Sequence, residues 1–327
     1  MPRDPFLTAA RRYLADLEPY RAPLTLDQSK RDLRVIDRDL WRLRREGKVA
    51  NVRPDKLQEE DVSALVLCWR TRLTRYGKPM DPTSQAHLFR ALKGFLEWNG
   101  NGVIARMKMR GHVRFPRTVE KPILSLSEHD LNRLRVTADG IAGWEGSVAR
   151  FLTAFLPGTA LRPKEIRTAK LADLDTARWR TLVSDPKGAG TWAAPDYAPV
   201  LPFAREAAMD FLAERADYLN GKTCEALLPY RRVSGEIGPW SAAMLRKLKA
   251  GLERKSGVRF SLKTFRATFA QLAKDAGVGI EAVSRALRHS STITTERFYA
   301  RIRADDAFRE IEAAFERPKI RVETEGV

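Results

Sequence analysis

Ser261-Leu262-Lys263-Thr264-Phe265-Arg266-Ala267-Thr268-Phe269-Ala270-Gln271 sets two cations among large apolar side chains at helical spacing. Residues three apart are neighbours on a helix, so Lys263 and Arg266 share one face while Leu262, Phe265 and Phe269 pack on another. Leu287-Arg288-His289-Ser290-Ser291 follows, then Thr294-Thr295-Glu296-Arg297-Phe298-Tyr299-Ala300-Arg301. Taken singly, each polar member has a plain use: a surface charge, a satisfied histidine, a tyrosine packed beside Phe298.

Upstream, the spacing predicts a helix from about Gly146 to Leu156, followed by Gly158-Thr159-Ala160-Leu161-Arg162 and Pro163, a residue suited to a first helical turn. Ser127 is placed to cap a helix carrying Leu131 and Leu134. Residues 180–186 and 191–201 read as two short strands around the turn Pro186-Lys187-Gly188-Ala189-Gly190, and everything beyond about Ala204 favours helix. Gly221-Lys222-Thr223 resembles the end of a phosphate-binding loop, but Ala216 stands where that pattern needs Gly. Gly221 is better read as the end of a helix from Phe211 to Asn220.

The first third is helix after helix. Leu33, Ile36, Leu40 and Leu43 make one apolar stripe, with Arg34, Arg38, Arg42 and Arg45 on a solvated face moderated by Asp32, Asp37, Asp39 and Glu46. Asp61 is expected to cap a helix carrying Val62, Leu65, Val66 and Trp69, and Thr83 or Ser84 to open one carrying Leu88, Phe89, Leu92, Phe95 and Leu96. Asn99-Gly100-Asn101-Gly102 stops it. Arg106, Lys108, Arg110, Arg114, Arg117 and Lys121 then stand against the single acid Glu120, with Pro116 and Pro122 stiffening an extended strap suited to a phosphate backbone.

The 327 residues carry 59 Lys and Arg against 41 Asp and Glu, a formal charge of +18. Residues 1–121 hold 26 basic and 15 acidic side chains and residues 122–327 hold 33 and 26, so both halves share the excess. Such a balance favours a polyanionic partner, most often nucleic acid; on charge alone a membrane surface or ribosome stays open. A hydrophobic fraction of 43% supports packed cores and excludes wholesale disorder. Cys68 and Cys224 lack partners at metal-ligand spacing, and His87, His112, His129 and His289 are scattered. The start, with Asp4 and no apolar core, carries no secretory pattern, and the apolar stretch Val62 to Trp69 is too short to span a bilayer. A soluble cytoplasmic, nucleoid-associated protein is expected.

The order of these boxes resembles the tyrosine recombinase (phage integrase) family, whose hallmark is R…K…H/K-x-x-R…H/W…Y. Thr159-Ala160-Leu161-Arg162-Pro163-Lys164-Glu165-Ile166 is similar to the family's TGLRxxEL box, Lys187 matches the hairpin lysine, and Lys263, Arg266, His289 and Tyr299 complete the set. The resemblance spans roughly residues 124–301, and the helical first half looks like the family's core-binding domain. It implies that Arg162 and Arg266 fork onto the nonbridging oxygens of a phosphodiester, neutralising charge as the pentacoordinate transition state forms. A helix starting near Pro163 would add its positive end. Lys187 would protonate the leaving 5′-oxygen, His289 would bond the phosphate or help deprotonate the tyrosine, and Lys263 would assist proton transfer. Tyr299 would attack and hold DNA by a 3′-phosphotyrosine bond, so that rejoining needs neither ATP nor metal, and no cofactor is expected. Glu165 would brace the arginines. Three departures stand out: Arg288 occupies a position where the family often has Gly, His289 and Tyr299 lie ten apart, and Lys263 replaces His.

The expected architecture is mainly α with a small antiparallel β-sheet. It comprises a helical DNA-binding domain (1–105), a basic linker (106–122), a catalytic domain (123–303) and a C-terminal helix and tail (304–327). On the last, Phe308, Ile311 and Phe315 form a stripe that either docks at home or is exchanged between protomers. The implied activity is site-specific recombination of double-stranded DNA by a tetramer on paired sites, with a directionality factor as a further partner and no membrane. The alternatives are relaxation of DNA in the manner of a type IB topoisomerase, and a non-cleaving DNA-binding protein on the same fold.

Overall fold

Two helices, Pro5–Leu17 (α1) and Pro23–Arg45 (α2), open the chain, followed by Glu59–Thr71 (α3), Pro82–Trp98 (α4) and Val103–Arg110 (α5). The computed structural model describes residues 5–111, 113–119, 123–190, 193–289 and 291–298, with Phe308, Ile311, Glu312 and Phe315 beyond them. The chain divides into two units, Met1–Glu120 and Lys121–Val327.

In the first unit the predicted stripe Leu33, Ile36, Leu40 and Leu43 is buried against Phe6, Val62, Leu65, Trp69, Leu92 and Phe95. Asp37 and Asp39 are buried too, which corrects their assignment to the solvated face. The Asp39 carboxylate accepts the Trp69 indole N–H at 3.0 Å and pairs with Arg72, so the buried charge is compensated. Helix starts also differ from expectation. Gln58 is the N-cap of α3, and Asp61 reaches back from the third position, accepting the backbone N–H of Gln58 at 3.0 Å and of Ala50 at 2.7 Å. Asp81, not Thr83 or Ser84, caps α4 by accepting the Thr83 N–H at 2.8 Å.

The strap differs most. Its first three cations, Arg106, Lys108 and Arg110, lie on α5, which buries Val103, Ile104 and Met107 and stops at Gly111 with φ 70°. The apolar periodicity of Val103, Ile104 and Met107 outweighs the basic composition that suggested an extended linker. Beyond it Phe115 stacks on Phe89 with ring centroids 4.5 Å apart, keeping the segment against its own unit.

The second unit contains Glu128–Asp139 (α6), Gly143–Thr159 (α7), Pro163–Thr168 (α8), Leu174–Asp175 (β1), Arg180–Val183 (β2) and Asp196–Pro199 (β3). Then come Arg205–Leu219 (α9), Pro229–Arg231 (β4), Ile237–Pro239 (β5), Ala242–Ser256 (α10), Thr264–Asp275 (α11), Ile280–Ala286 (α12) and Thr292–Phe298 (α13). The class is mainly α with small antiparallel sheets: β1-β2-β3 and a second pair, β4-β5, in a region expected to be helical. α7 is the buried axis, packed by α6, α9 and α11. Ser127 caps α6 as expected, accepting the Asp130 N–H at 3.1 Å. Gly158 lets α7 close on the Pro202–Ala204 turn, since a Cβ there would stand 2.5 Å from the Ala204 Cβ. No helix of the described residues is long and apolar enough to cross a membrane.

Candidate active site

Thr159-Ala160-Leu161-Arg162 joins α7 to α8 through a tight turn. Ala160 takes φ 56°, a left-handed conformation that a Cβ disfavours. The turn leaves Arg162 at the N-cap of α8, with Pro163 fixing the first helical φ. Glu165, 4% exposed, reaches back from the third position. Its Oε2 accepts the Arg162 backbone N–H at 2.8 Å and its Oε1 accepts Arg162 Nη1 at 2.6 Å.

A second strained turn, Leu287-Arg288-His289, follows α12. Arg288 has φ 53°. Its guanidinium turns inward, Nη2 donating to Glu165 Oε2 at 2.6 Å and Nη1 to the Ala286 carbonyl at 3.2 Å. Burial works to raise the Glu165 carboxyl, but Arg288, the Arg162 N–H and the Arg162 charge outweigh it and hold the group below its ordinary value. Burial pulls Arg288 down and Glu165 opposes it; an arginine starts so high that it stays cationic.

Arg266, on α11 and 2% exposed, stitches the two turns together. Its Nη1 donates to the Ala160 carbonyl at 2.5 Å and its Nη2 to the Leu287 carbonyl. His289 lies alongside, its Nδ1 2.8 Å from the hydroxyl of the buried Thr295 on α13. Burial, with the charges of Arg266, Arg162 and Arg288, pushes the imidazole down to about 3, so it is neutral throughout the physiological range. Glu165 thus pairs with two guanidiniums, Arg162 and Arg288, while the charges of those two and of Arg266 all bear on His289, a fixed surplus of positive charge suited to an anion. Arg162 is the more open of the Glu165 partners, with 27% of its side chain exposed against 6% for Arg288.

Residues 125–305, more than half of the chain, match the phage integrase family. The chain belongs to that family. Its class is the tyrosine site-specific recombinases. No curated protein matches it in sequence. Among solved structures it is similar to the XerH site-specific recombinase bound to palindromic difH substrate in a post-cleavage complex. That match has 17% identity and a TM-score of 0.64, covering 90% of this chain and 80% of that one. It is also similar to the Tn1549 transposon integrase in complex with transposon right-end DNA, with 16% identity and a TM-score of 0.63, covering 93% and 98%. A lambda integrase dimer bound to a COC′ core site gives 13% identity and a TM-score of 0.58, covering 91% and 98%. At these identities the likeness is one of fold.

In this tyrosine recombinase two further sequence-predicted residues, Lys187 and Lys263, lie on the surface of the second unit. Lys187 is exposed on the β2–β3 hairpin. The hairpin is tied down on both legs: Asp185 pairs with Lys164 of α8 at 2.7 Å, and Asp196 with Arg285 of α12 at 2.6 Å. Lys263 is exposed in the turn before α11, whereas Arg266 is buried. Lys263 is the N-cap of α11 with helical dihedrals, φ −72° and ψ −23°, and its carbonyl accepts the Ala267 N–H at 3.3 Å, so the two residues stand a turn apart and differ in exposure. Tyr299, with Glu120, Lys121, Pro122 and most of residues 299–327, lies outside the described residues.

Sequence reasoning missed Arg288 and Thr295. For Arg288 a signal existed, a bulky cation where the family often has Gly. For Thr295 there was none beyond its spacing of six from His289. Among the backbone candidates of the first unit, Arg110 pairs with Glu59 at 2.9 Å, and Arg106 and Arg114 are exposed. Lys108 and Arg117 join Arg90 and Lys93 around a groove of about 270 Å³ floored by Phe89.

Proposed function

We propose that this protein cuts and rejoins double-stranded DNA at a defined site through a 3′-phosphotyrosine bond to Tyr299. The observation that carries the proposal is one bonded frame, in which Glu165 holds Arg162 and Arg288, Arg266 ties the Ala160 and Leu287 turns, and the charges of all three arginines bear on neutral His289: a cationic seat for one phosphodiester. Arg162, the more open guanidinium, takes a nonbridging oxygen and stabilises the charge that grows there. Arg266 adds its charge from inside the frame; a direct bond to the phosphate requires it to share the nitrogens now held by Ala160 and Leu287. His289 bonds the phosphate as a neutral donor or accepts the phenol proton.

Lys187, carried on the anchored hairpin, delivers the proton to the departing 5′-oxygen, and Lys263 assists proton transfer. The ester keeps the energy of the broken bond, so the free 5′-hydroxyl of another strand reseals it without ATP or metal. The groove of Arg90, Lys93, Lys108 and Arg117 takes the DNA backbone. The DNA complexes among its fold neighbours support duplex DNA as substrate. Phe308, Ile311 and Phe315 are all exposed, which supports pairing of the C-terminal segment with another protomer in a tetramer on paired sites.

Tyr299→Phe tests the assignment. DNA binding is expected to persist while strand cleavage disappears. Cleavage by that variant would remove Tyr299 as the nucleophile.

A further inference from the structure

We infer that Arg288 is a positioning residue of the strand-transfer site, fixing Glu165 so that Arg162 is held in its phosphate-facing orientation; this rests on the function proposed above. Three observations point the same way. Arg288 adopts φ 53°, a conformation glycine takes freely and an arginine takes at a cost of about 1 kcal/mol. Its guanidinium is directed inward, 6% exposed, and one terminal nitrogen bonds Glu165 Oε2 at 2.6 Å. The same carboxylate holds Arg162 twice, at the backbone N–H and at Nη1, and among the described residues Glu165 is the one partner of the Arg162 guanidinium.

An exposed arginine would not justify a strained turn and a buried charge. Here both are offset by completing the pairing of a carboxylate that would otherwise answer to Arg162 alone. With the clamp closed from both sides, Glu165 cannot swing and Arg162 keeps its remaining donors aimed away from the core. Without Arg288, burial favours the protonated carboxyl, which weakens its grip on Arg162. The charged groups around this carboxylate are Arg162 and Arg288.

Arg288→Gly is the discriminating variant, because glycine accepts the left-handed turn while deleting the guanidinium. The assay is single-turnover cleavage of a nicked DNA carrying the protein's site, at saturating enzyme, with Kd and Tm measured alongside. The expected result is cleavage slowed about 10- to 100-fold at unchanged Kd and a Tm within a few degrees of the parent. Added guanidinium ion should recover part of the rate, and Arg288→Gly should cost little more once Glu165→Gln is present. A parental cleavage rate in Arg288→Gly would overturn the inference. So would a loss that tracks a fallen Tm and is relieved by neither cooling nor guanidinium, which would make Arg288 structural only. If the unaltered protein forms no covalent adduct, the proposed function fails first and the inference with it.

Discussion

The Arg266 guanidinium donates to the Ala160 carbonyl at 2.5 Å, a bond that reaches back 106 residues to the turn carrying Arg162. Its other terminal nitrogen holds the Leu287 carbonyl, one residue before Arg288. The two turns carry Arg162 and His289, so one buried cation sets the distance between them. A single residue thereby links packing to chemistry.

Removing that cation leaves two buried carbonyls without their donor. Arg266→Ala should therefore destabilise the second unit by about 3 kcal/mol, lowering Tm by roughly 6–12 °C for a unit of this size. Thermal unfolding without DNA measures it. A variant that melts with the parent would mean that the two turns are held by other contacts.

Gly158 permits the close approach at the end of α7 that leads into Arg162. Gly158→Ala puts a methyl 2.5 Å from the Ala204 Cβ. A cost of about 1–3 kcal/mol is expected, since helix and turn must move apart. Urea midpoints should fall with little change in slope; an unchanged midpoint would contradict the packing.

His289 gives a pH dependence with a defined sign. Its folded value, about 3, lies below the ordinary imidazole value, so below about pH 6.5 the unfolded chain binds a proton that the native state refuses. The stability this group contributes is fully present above that pH and is lost as pH falls toward 3. Glu165, also depressed, adds its own loss below the ordinary carboxylate range. His289→Gln should flatten the upper part of the curve, between about pH 6.5 and 4.5. Parallel curves for parent and variant would show that the imidazole titrates normally.

The groove in the first unit predicts an electrostatic signature. Lys108→Ala and Arg117→Ala should each lower the slope of log affinity against log salt by about 0.9, without altering which sequence is preferred. An unchanged slope would take these side chains off the DNA backbone.

Much of the site was legible because its chemistry is carried by residue types in a fixed order. Arg162, Arg266 and His289 were named from the sequence, and the structure brings them together. Their burial was not legible, since Arg266 reads as one more cation on a helix until Ala160 and Leu287 close over it. The pairing of Arg288 with Glu165 joins residues 123 apart, beyond any local pattern. In the first half, the stripe from Leu33 to Leu43 gave away its helix through periodicity alone. Asp39 did not reveal its burial, because its partner Trp69 lies 30 residues on. The strap misled for a simpler reason: basic composition suggested extension, while Val103, Ile104 and Met107 had core to fill. The strands β4 and β5 are three residues each, too short to leave a period.

The central claim is covalent capture of DNA by Tyr299 at a defined site. The most direct test incubates the protein with fragmented DNA of its host, isolates detergent-resistant adducts, maps the linked residue and sequences the attached ends. The account predicts one recurring sequence joined through Tyr299 by its 3′-phosphate. Adducts scattered without a common sequence would indicate topoisomerase-like relaxation, and tight binding with no adduct, even on nicked DNA that cannot rejoin, would contradict the catalytic account altogether.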